Sequence, residues 1–116
     1  MTDQVLEWAP FRLKPGVEEA TLLDASERLQ RDFLVRQDGF MRRELIKGAE
    51  GAYVDLVWWE SFAASQAAMK KAATSPACRA YFATMDCSDG DPGDGVLLFS
   101  IVGSYRPAAR LLALAI

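Results

Sequence analysis

Hydrophobic and polar residues along this chain alternate with the two-residue period of strands in some segments and with helical spacing in others. The clearest case is Tyr53 to Trp59, a run of strand-forming residues that leads directly into the alanine-rich segment 62–73. Ser61 stands between them and is a favourable N-cap for that helix. Because neighbouring strand residues point to opposite faces, Trp58 and Trp59 should enter two different apolar compartments.

The same periodicities predict four strands and three helices. The predicted strands are 5–13, 40–47, 53–59 and 96–104, and the predicted helices are 17–37, 62–73 and 76–85. The first helix carries one apolar stripe, interrupted by a serine, so it should lie on a sheet. This stripe consists of Leu22, Ser26, Leu29 and Phe33.

The element order β-α-β-β-α-(α)-β predicts an α+β protein with the ferredoxin-like fold. Right-handed crossovers give a four-stranded antiparallel sheet in the order 4-1-3-2, with the helices on one face. A chain of 116 residues fits a single domain over residues 1–116. The third and fourth strands are apolar on both faces, so the sheet face without helices would form a large exposed patch. We therefore expect a homodimer that pairs these sheet faces.

The hairpin between the second and third strands has a predictable register, because the loop 48–52 is short. The expected pairs are Ile46–Val54, Leu45–Asp55, Arg43–Val57 and Met41–Trp59. This register places Arg43 and Asp55 on one face as diagonal neighbours, within reach of a salt bridge.

Composition excludes several classes of site. The chain has no histidine, so His-dependent nucleophilic catalysis and His-ligated metal or haem are excluded. Its two cysteines, Cys78 and Cys87, are too few for a Cys-only zinc site and are expected to be reduced thiols of a cytoplasmic protein. The net charge of −3, with basic residues scattered along the chain, argues against nucleic acid or an anionic membrane as a partner.

Two segments near the C-terminus stand outside the strand and helix pattern. The loop 86–95 is rich in aspartate and glycine but lacks the ligand spacing of an EF-hand, so no metal site is predicted there. The tail 105–116 is too short to span a membrane and too apolar to remain free in water. We expect this tail to pack on its own domain or on the second subunit.

Several short motifs, in this order and spacing, resemble one known family. They are Lys14-Pro15-Gly16 after a strand, Gly39-Phe40 at the start of the second strand, Trp59-Glu60-Ser61 at the end of the third, and Ser75-Pro76 before Tyr81-Phe82. Together they resemble the antibiotic-biosynthesis-monooxygenase-like proteins of the dimeric α+β barrel superfamily, over residues 5–104.

This resemblance implies a homodimer whose two sheets face each other as a barrel, with a small-molecule cavity between sheet and helices in each protomer. Haem-degrading relatives depend on a histidine ligand, whereas the corresponding region here is Ala67-Ala68-Met69-Lys70, so haem is not expected. Cofactor-free monooxygenation of aromatic substrates is compatible with that loss. No cofactor is therefore predicted.

The candidate catalytic residues are Asp55 and Arg43. A mid-strand aspartate is costly to bury unpaired, so the pair is either an ordinary ion pair at the sheet or dimer face or a polar anchor in an apolar pocket. Because a neighbouring arginine favours the charged carboxylate, the pairing weakens the case for Asp55 as a base.

The candidate ligand pocket is aromatic, although core packing alone would also explain each of its residues. Its predicted lining is Trp8, Phe33, Met41, Val57, Trp59, Tyr81, Phe82 and Met85. The sequence thus predicts a protein that binds a small apolar or aromatic molecule. If it is an enzyme, the expected class is a cofactor-independent monooxygenase or isomerase acting on an aromatic or polyketide-like substrate. The alternative is a non-catalytic ligand-binding or assembly module of the same fold.

Overall fold

The computed structural model describes residues 3–87 and 95–107. The strands are β1 (Val5–Arg12), β2 (Phe40–Lys47), β3 (Ala52–Trp59) and β4 (Leu97–Ser100), and the α-helices are α1 (Glu19–Asp32), α2 (Phe62–Ala72) and α3 (Pro76–Phe82). Short 3-10 turns occupy Leu34–Arg36 and Ala49–Gly51. The sheet is antiparallel in the order β2-β3-β1-β4. This is the predicted order 4-1-3-2 counted from the other edge, so the ferredoxin-like fold is confirmed.

Strand β3 lies inside the sheet, between β2 and β1, and separates its two faces. Its burial alternates along the whole strand. Tyr53, Asp55, Val57 and Trp59 are buried and face the helices. Trp58 points to the other face, as the period of two requires, and lies beneath the guanidinium of Arg42, 4.2 Å from the ring centroid. We refer below to the face without helices as the open face.

The predicted hairpin register is confirmed at Ile46–Val54, Leu45–Asp55 and Arg43–Val57. It is wrong at Met41, because Phe40 pairs with Trp59 and the register shifts between Phe40 and Arg42. An extra residue in one strand of an antiparallel pair has no partner of its own and bends that strand. Met41 is that residue, and it is 40% exposed.

Helix α1 is shorter at both ends than the predicted segment 17–37. Glu18 is still extended, and Phe33 leaves the helix with φ −131° before the chain turns into Leu34–Arg36. The stripe predicted for this helix is nevertheless buried at Leu22, Ser26, Leu29 and Phe33, so it lies on the sheet as expected.

The end of α3 also differs from prediction, because the chain stops being helical at Phe82 and turns back to β1. The amide of Lys14 donates to the carbonyl of Thr84 at 2.9 Å, and Leu13 and Met85 form an isolated bridge. Strand β4 covers Leu97–Ser100 instead of 96–104. These hydrogen bonds join residues that are far apart in sequence, so local periodicity does not predict the residue at which α3 ends.

The helix starts agree with the capping chemistry predicted from the sequence. The Ser61 hydroxyl accepts from the Ala64 amide at 3.0 Å, and the Ser75 hydroxyl accepts from the Cys78 amide at 3.2 Å. Pro76 occupies the first turn of α3, where its missing amide hydrogen costs nothing. These caps fix where α2 and α3 begin above the sheet.

Gly39 permits the start of β2 to approach α2 closely, and we predict that Gly39→Ala destabilises the fold. Its φ is +83°, and an added Cβ would lie 2.5 Å from the Cβ of Ala64. Backbone strain and the steric clash together should lower the free energy of unfolding by about 2–4 kcal/mol. Urea denaturation would measure this loss.

The matched control is Gly16→Ala, because Gly16 also has positive φ (+87°) but an added Cβ would meet nothing within 4 Å. That variant should lose only the backbone term, about 1 kcal/mol. Equal losses in the two variants would contradict a close approach at Gly39.

The predictions for the acidic loop and the apolar tail concern residues that lie largely outside the described part of the chain. Most of the acidic loop 86–95 and residues 108–116 of the apolar tail are outside them, so docking of the tail stays a prediction. Both cysteines are free thiols, Cys78 buried and Cys87 exposed. Among the described helices, none combines the length and apolar character that crossing a bilayer requires.

Candidate functional site

A cavity of about 320 Å³ lies between the helix-bearing face of the sheet and the helices. Its wall is largely apolar and includes Phe11, Leu29, Phe33, Val57, Trp59 and Met85. The polar side chains that reach it are those of Glu7, Asp55, Ser65, Cys78 and Tyr81. A few convergent polar groups in an apolar hollow are typical of small-molecule sites.

Asp55 anchors a buried polar network on the sheet side of this cavity. Its Oδ1 accepts from Nε of Arg43 at 2.8 Å and its Oδ2 accepts from Nη2 of Arg43 at 3.0 Å. The hydroxyl of Tyr81 donates to the same Oδ2 at 2.6 Å. The side chains of Arg43 and Asp55 are only 7% and 8% exposed, so this bidentate ion pair is buried within the chain.

Arg43 makes two further contacts that hold it in place. Its Nη1 donates to the carbonyl of Ser26 at 3.2 Å, and its guanidinium lies 5.2 Å from the ring centroid of Tyr81. Burial alone would lower the pKa of Arg43, but the ion pair with Asp55 outweighs it and raises that pKa above its ordinary value. Arg43 therefore stays charged and joins β2 to α1 and α3.

The pKa of the Tyr81 hydroxyl is raised, first by burial and then by the negative charge of Asp55. Tyr81 is therefore a hydrogen-bond donor and not a phenolate. Together Asp55, Arg43 and Tyr81 form a closed network, in which each member satisfies the others. The Arg43–Asp55 pair lies in the core of the chain, and its Asp55 carboxylate also lines the apolar cavity, so the pair combines the contacts of an ordinary ion pair with the position of a polar anchor.

Glu7 is a second acidic group in the cavity, and sequence reasoning did not select it as a site residue. It lies on β1 directly across from Val57, and its Oε1 accepts from the indole Nε1 of Trp59 at 3.1 Å. The pKa of Glu7 is raised, mainly because burial penalises the carboxylate; the charge of Asp55 adds to this, while Trp59 and Arg43 oppose it. A signal was present, because the period of two in a strand places Glu7 on the same face as the apolar residues Val5 and Phe11.

The structure brings together most of the predicted pocket. Phe33, Val57, Trp59, Tyr81, Phe82 and Met85 line the cavity beside Asp55. Arg43 lies behind Asp55 and does not form part of the wall. Two residues were placed wrongly. Trp8 is 36% exposed on the open face, because Glu7 and Ala9 occupy the inward positions of β1, and Met41 is displaced by the irregularity in β2.

The raised pKa of Glu7 predicts a pH-dependent stability difference between wild type and Glu7→Gln. The folded protein holds this proton more tightly than the unfolded chain does, so ionised Glu7 costs stability. That cost is absent below the ordinary pKa of a glutamate and develops as the pH rises through the folded-state pKa. Glu7→Gln should therefore have the higher Tm at pH 8, and its advantage should shrink toward pH 4.

The control for this measurement is Glu27→Gln, the same chemical change on an exposed position of α1. Its Tm difference from wild type should not follow this pattern. A Glu7→Gln difference that stayed constant from pH 4 to pH 8 would contradict the raised pKa.

Comparisons with known proteins find similarity at the level of structure. No protein-family profile matches the chain, and no curated protein matches its sequence. Among solved structures, SnoaB, a cofactor-independent oxygenase from Streptomyces nogalater, is 18% identical with a TM-score of 0.65, over 92% of this chain and 99% of that one. A candidate antibiotic biosynthesis monooxygenase from Bordetella bronchiseptica is 16% identical with a TM-score of 0.69, over 88% and 100% of the two chains.

A protein of unknown function from Nitrosomonas europaea is 22% identical with a TM-score of 0.64, over 93% of this chain and 97% of that one. In each case the similarity spans nearly the whole of both chains, although identity is low. At sequence identities this low, structural similarity shows a shared fold but does not show that the chemistry of a site is shared. The chain thus has the ferredoxin-like fold of the antibiotic-biosynthesis-monooxygenase-like proteins that its motifs resemble.

Proposed function

We propose that this protein binds a compact, largely apolar aromatic molecule in its cavity and oxidises it as a cofactor-independent monooxygenase. The observation that carries the proposal is the cavity itself, an apolar hollow of about 320 Å³ with acidic groups on its wall. Its volume lies at the small end of the range for ligand pockets, which suits a few fused rings. Aromatic side chains such as Phe11, Phe33 and Trp59 offer flat surfaces against which such rings can stack.

The reaction that fits this site uses the reactivity of the substrate. A deprotonated phenol or enol can give an electron to dioxygen, and the two radicals combine to a peroxide at a ring carbon. Loss of water from that peroxide leaves a ketone: one oxygen atom enters the product, and the other departs as water with two substrate hydrogens. The protein would hold the substrate, take up a proton and exclude water from the intermediates.

Two further facts support this class of reaction. The chain has no histidine, which removes the usual ligand through which a protein would bind haem. One solved structure with the same fold is a cofactor-independent oxygenase, so the fold is compatible with this chemistry.

A specific observation favours the alternative, a non-catalytic ligand-binding module. Asp55, Arg43 and Tyr81 satisfy one another, and among the described residues no buried side-chain nitrogen or oxygen lacks a partner. A fully paired network stabilises a fold but presents little uncommitted acid–base chemistry to a ligand. The module would use the same cavity without turnover.

Oxygen uptake and binding, measured on one substrate panel, separate the two functions. The panel would contain hydroquinones, naphthols and polycyclic phenols, with binding followed by quenching of tryptophan fluorescence, since Trp59 lines the cavity. Uptake of dioxygen with incorporation of one of its oxygen atoms into a quinone product supports the monooxygenase. Saturable binding without uptake supports the module, and the absence of both rejects the ligand-binding proposal.

We also propose that the protein is a homodimer in which a second copy covers the open face. Leu6 pairs with Phe99 and Trp8 with Leu97 across β1 and β4, so all four side chains share this face. Three of them, Trp8, Leu97 and Phe99, are exposed in the single chain. An apolar surface of this kind on a sheet is typical of an interaction site.

Phe99→Asp should convert the dimer into a monomer, because a carboxylate would be buried without a partner at the interface. Wild type should sediment with about twice the chain mass of 12.8 kDa and the variant with that mass itself. Phe62→Asp is the control, because Phe62 is similarly exposed but lies on α2, away from the open face. A wild type that is monomeric at micromolar concentration, or a Phe99→Asp dimer, would contradict the proposal.

A further inference from the structure

Glu7 differs from Asp55 in how much of its carboxylate is already engaged. Both oxygens of Asp55 accept hydrogen bonds, three in total, from Arg43 and Tyr81. Within the described part of the chain, Glu7 has one side-chain hydrogen bond, from Trp59 to Oε1. Its Oε2 therefore retains acceptor capacity, and Glu7 is one of the residues on the wall of the cavity.

Building on the proposed function, we propose that Glu7 binds the hydroxyl group of the substrate and removes its proton, and that the cavity consequently selects neutral phenols over aromatic anions. Asp55 is then a positioning residue, which shapes the wall through Arg43 and Tyr81. Glu7 is the catalytic residue, because it is the carboxylate that contacts the substrate.

Trp59 makes Glu7 suitable for this role. The indole is only 2% exposed, so its N–H needs a buried acceptor, and Glu7 supplies one. The hydrogen bond holds one carboxylate oxygen and leaves the other available to accept from a ligand. In the proposed step the substrate O–H bond breaks, its electron pair stays on the phenolic oxygen, and the proton moves to Oε2 of Glu7.

The surroundings of Glu7 act on its pKa in both directions: burial and the charge of Asp55 raise it, while the Trp59 hydrogen bond and Arg43 lower it. From β3 and β2 come Asp55 and the Arg43 that is paired with it; from α3 come Tyr81 and Cys78, both cavity residues. The cavity residues of α1 and α2 carry no charge. The pKa of Glu7 is raised, chiefly by burial, which makes it a stronger base than an exposed glutamate.

The charge of the cavity wall gives the selectivity. Among the described residues, the charged side chains on this wall are Glu7 and Asp55, and both are acidic. Arg43, which is bonded to the wall residue Asp55, is held by Asp55 and the Ser26 carbonyl. A carboxylated or phosphorylated aromatic would enter an apolar space beside two negative groups, and the described residues of the wall include no cation to neutralise it, which is strongly unfavourable. A neutral phenol would meet a hydrogen-bond acceptor instead.

Three probes with one ring system test the proposal by calorimetry: 2-naphthol, 2-methoxynaphthalene and 2-naphthoate. Wild type should bind 2-naphthol about tenfold or more tightly than the other two, since only the naphthol can donate to a charged acceptor. Glu7→Gln keeps the side-chain shape and an oxygen for the Trp59 N–H. In that variant the preference of naphthol over its methyl ether should fall by at least about fivefold. Glu27→Gln should retain the wild-type preference.

Each outcome separates this inference from the proposed function. If wild type binds all three probes equally, or if Glu7→Gln keeps the full preference for naphthol, the role of Glu7 is wrong while ligand binding stands. If wild type binds none of them, both proposals are wrong. For any panel phenol that is turned over, loss of about 100-fold or more in kcat in Glu7→Gln with little change in the methyl ether affinity supports Glu7 as the base.

Discussion

Replacing Asp55 with alanine should lower the free energy of unfolding by about 3–5 kcal/mol. The substitution leaves the guanidinium of Arg43 buried without a counter-ion and removes the acceptor of the Tyr81 hydroxyl. Both groups are too enclosed to recover these bonds from bulk water, since Tyr81 and the Arg43 side chain are almost fully buried. Denaturation in guanidinium chloride, with the slope checked for two-state behaviour, would measure the loss.

The informative control removes the whole network instead of one member. A triple variant, Arg43→Met, Asp55→Leu and Tyr81→Phe, replaces the polar groups with apolar ones of similar size. It should recover most of the stability lost in Asp55→Ala, because no unpaired charge remains. If Asp55→Ala alone cost less than about 1 kcal/mol, Arg43 would have to reach water in the variant, and the enclosed ion pair described above would be wrong.

Ala68→Leu should weaken binding of 2-naphthol by about tenfold or more, because the larger side chain occupies the space that a ligand needs. Ala68 is buried on α2 and lines the cavity. The added methyl groups enter an existing void, so the free energy of unfolding should change by less than about 1.5 kcal/mol. Calorimetric binding and urea denaturation on the same preparation would separate the two effects.

Ala67→Leu is the matched control, because Ala67 is the neighbouring residue of α2 and is exposed. The Ala67→Leu variant adds the same side chain to α2 outside the cavity. It should bind 2-naphthol with the affinity of wild type. Unchanged binding in Ala68→Leu would mean that the ligand site lies elsewhere on the protein.

The fold was predictable from sequence because its main signals are local. The two-residue alternation from Tyr53 to Trp59 and the single stripe on α1 each identify an element and its buried face without reference to the rest of the chain. The hairpin register followed from a short loop, and it failed only at Met41, where the strand irregularity has no local sequence signal.

The candidate site was less predictable, because its contacts join residues that are distant in sequence. The Arg43–Asp55 pair was predicted correctly, since both residues belong to one hairpin. The third member, Tyr81, was predicted only as an aromatic residue of the pocket wall. Its hydroxyl donates a hydrogen bond to Asp55, which is 26 positions away in the sequence. Glu7 was missed for the same reason: its partner Trp59 is 52 positions away, and only the packed sheet brings them together.

The cavity has a consequence for the behaviour of the protein as a whole. Its wall is made of the same side chains that form the hydrophobic core, including Leu29, Phe33, Trp59 and Met85. A ligand bound in the cavity would give those side chains additional packing partners. Ligand occupancy and unfolding are therefore linked, so a ligand at 100 times its Kd would protect the native state by about 2.7 kcal/mol. Under the proposed function, a ligand that fills the cavity should complete the packing of the core and raise the Tm of the protein.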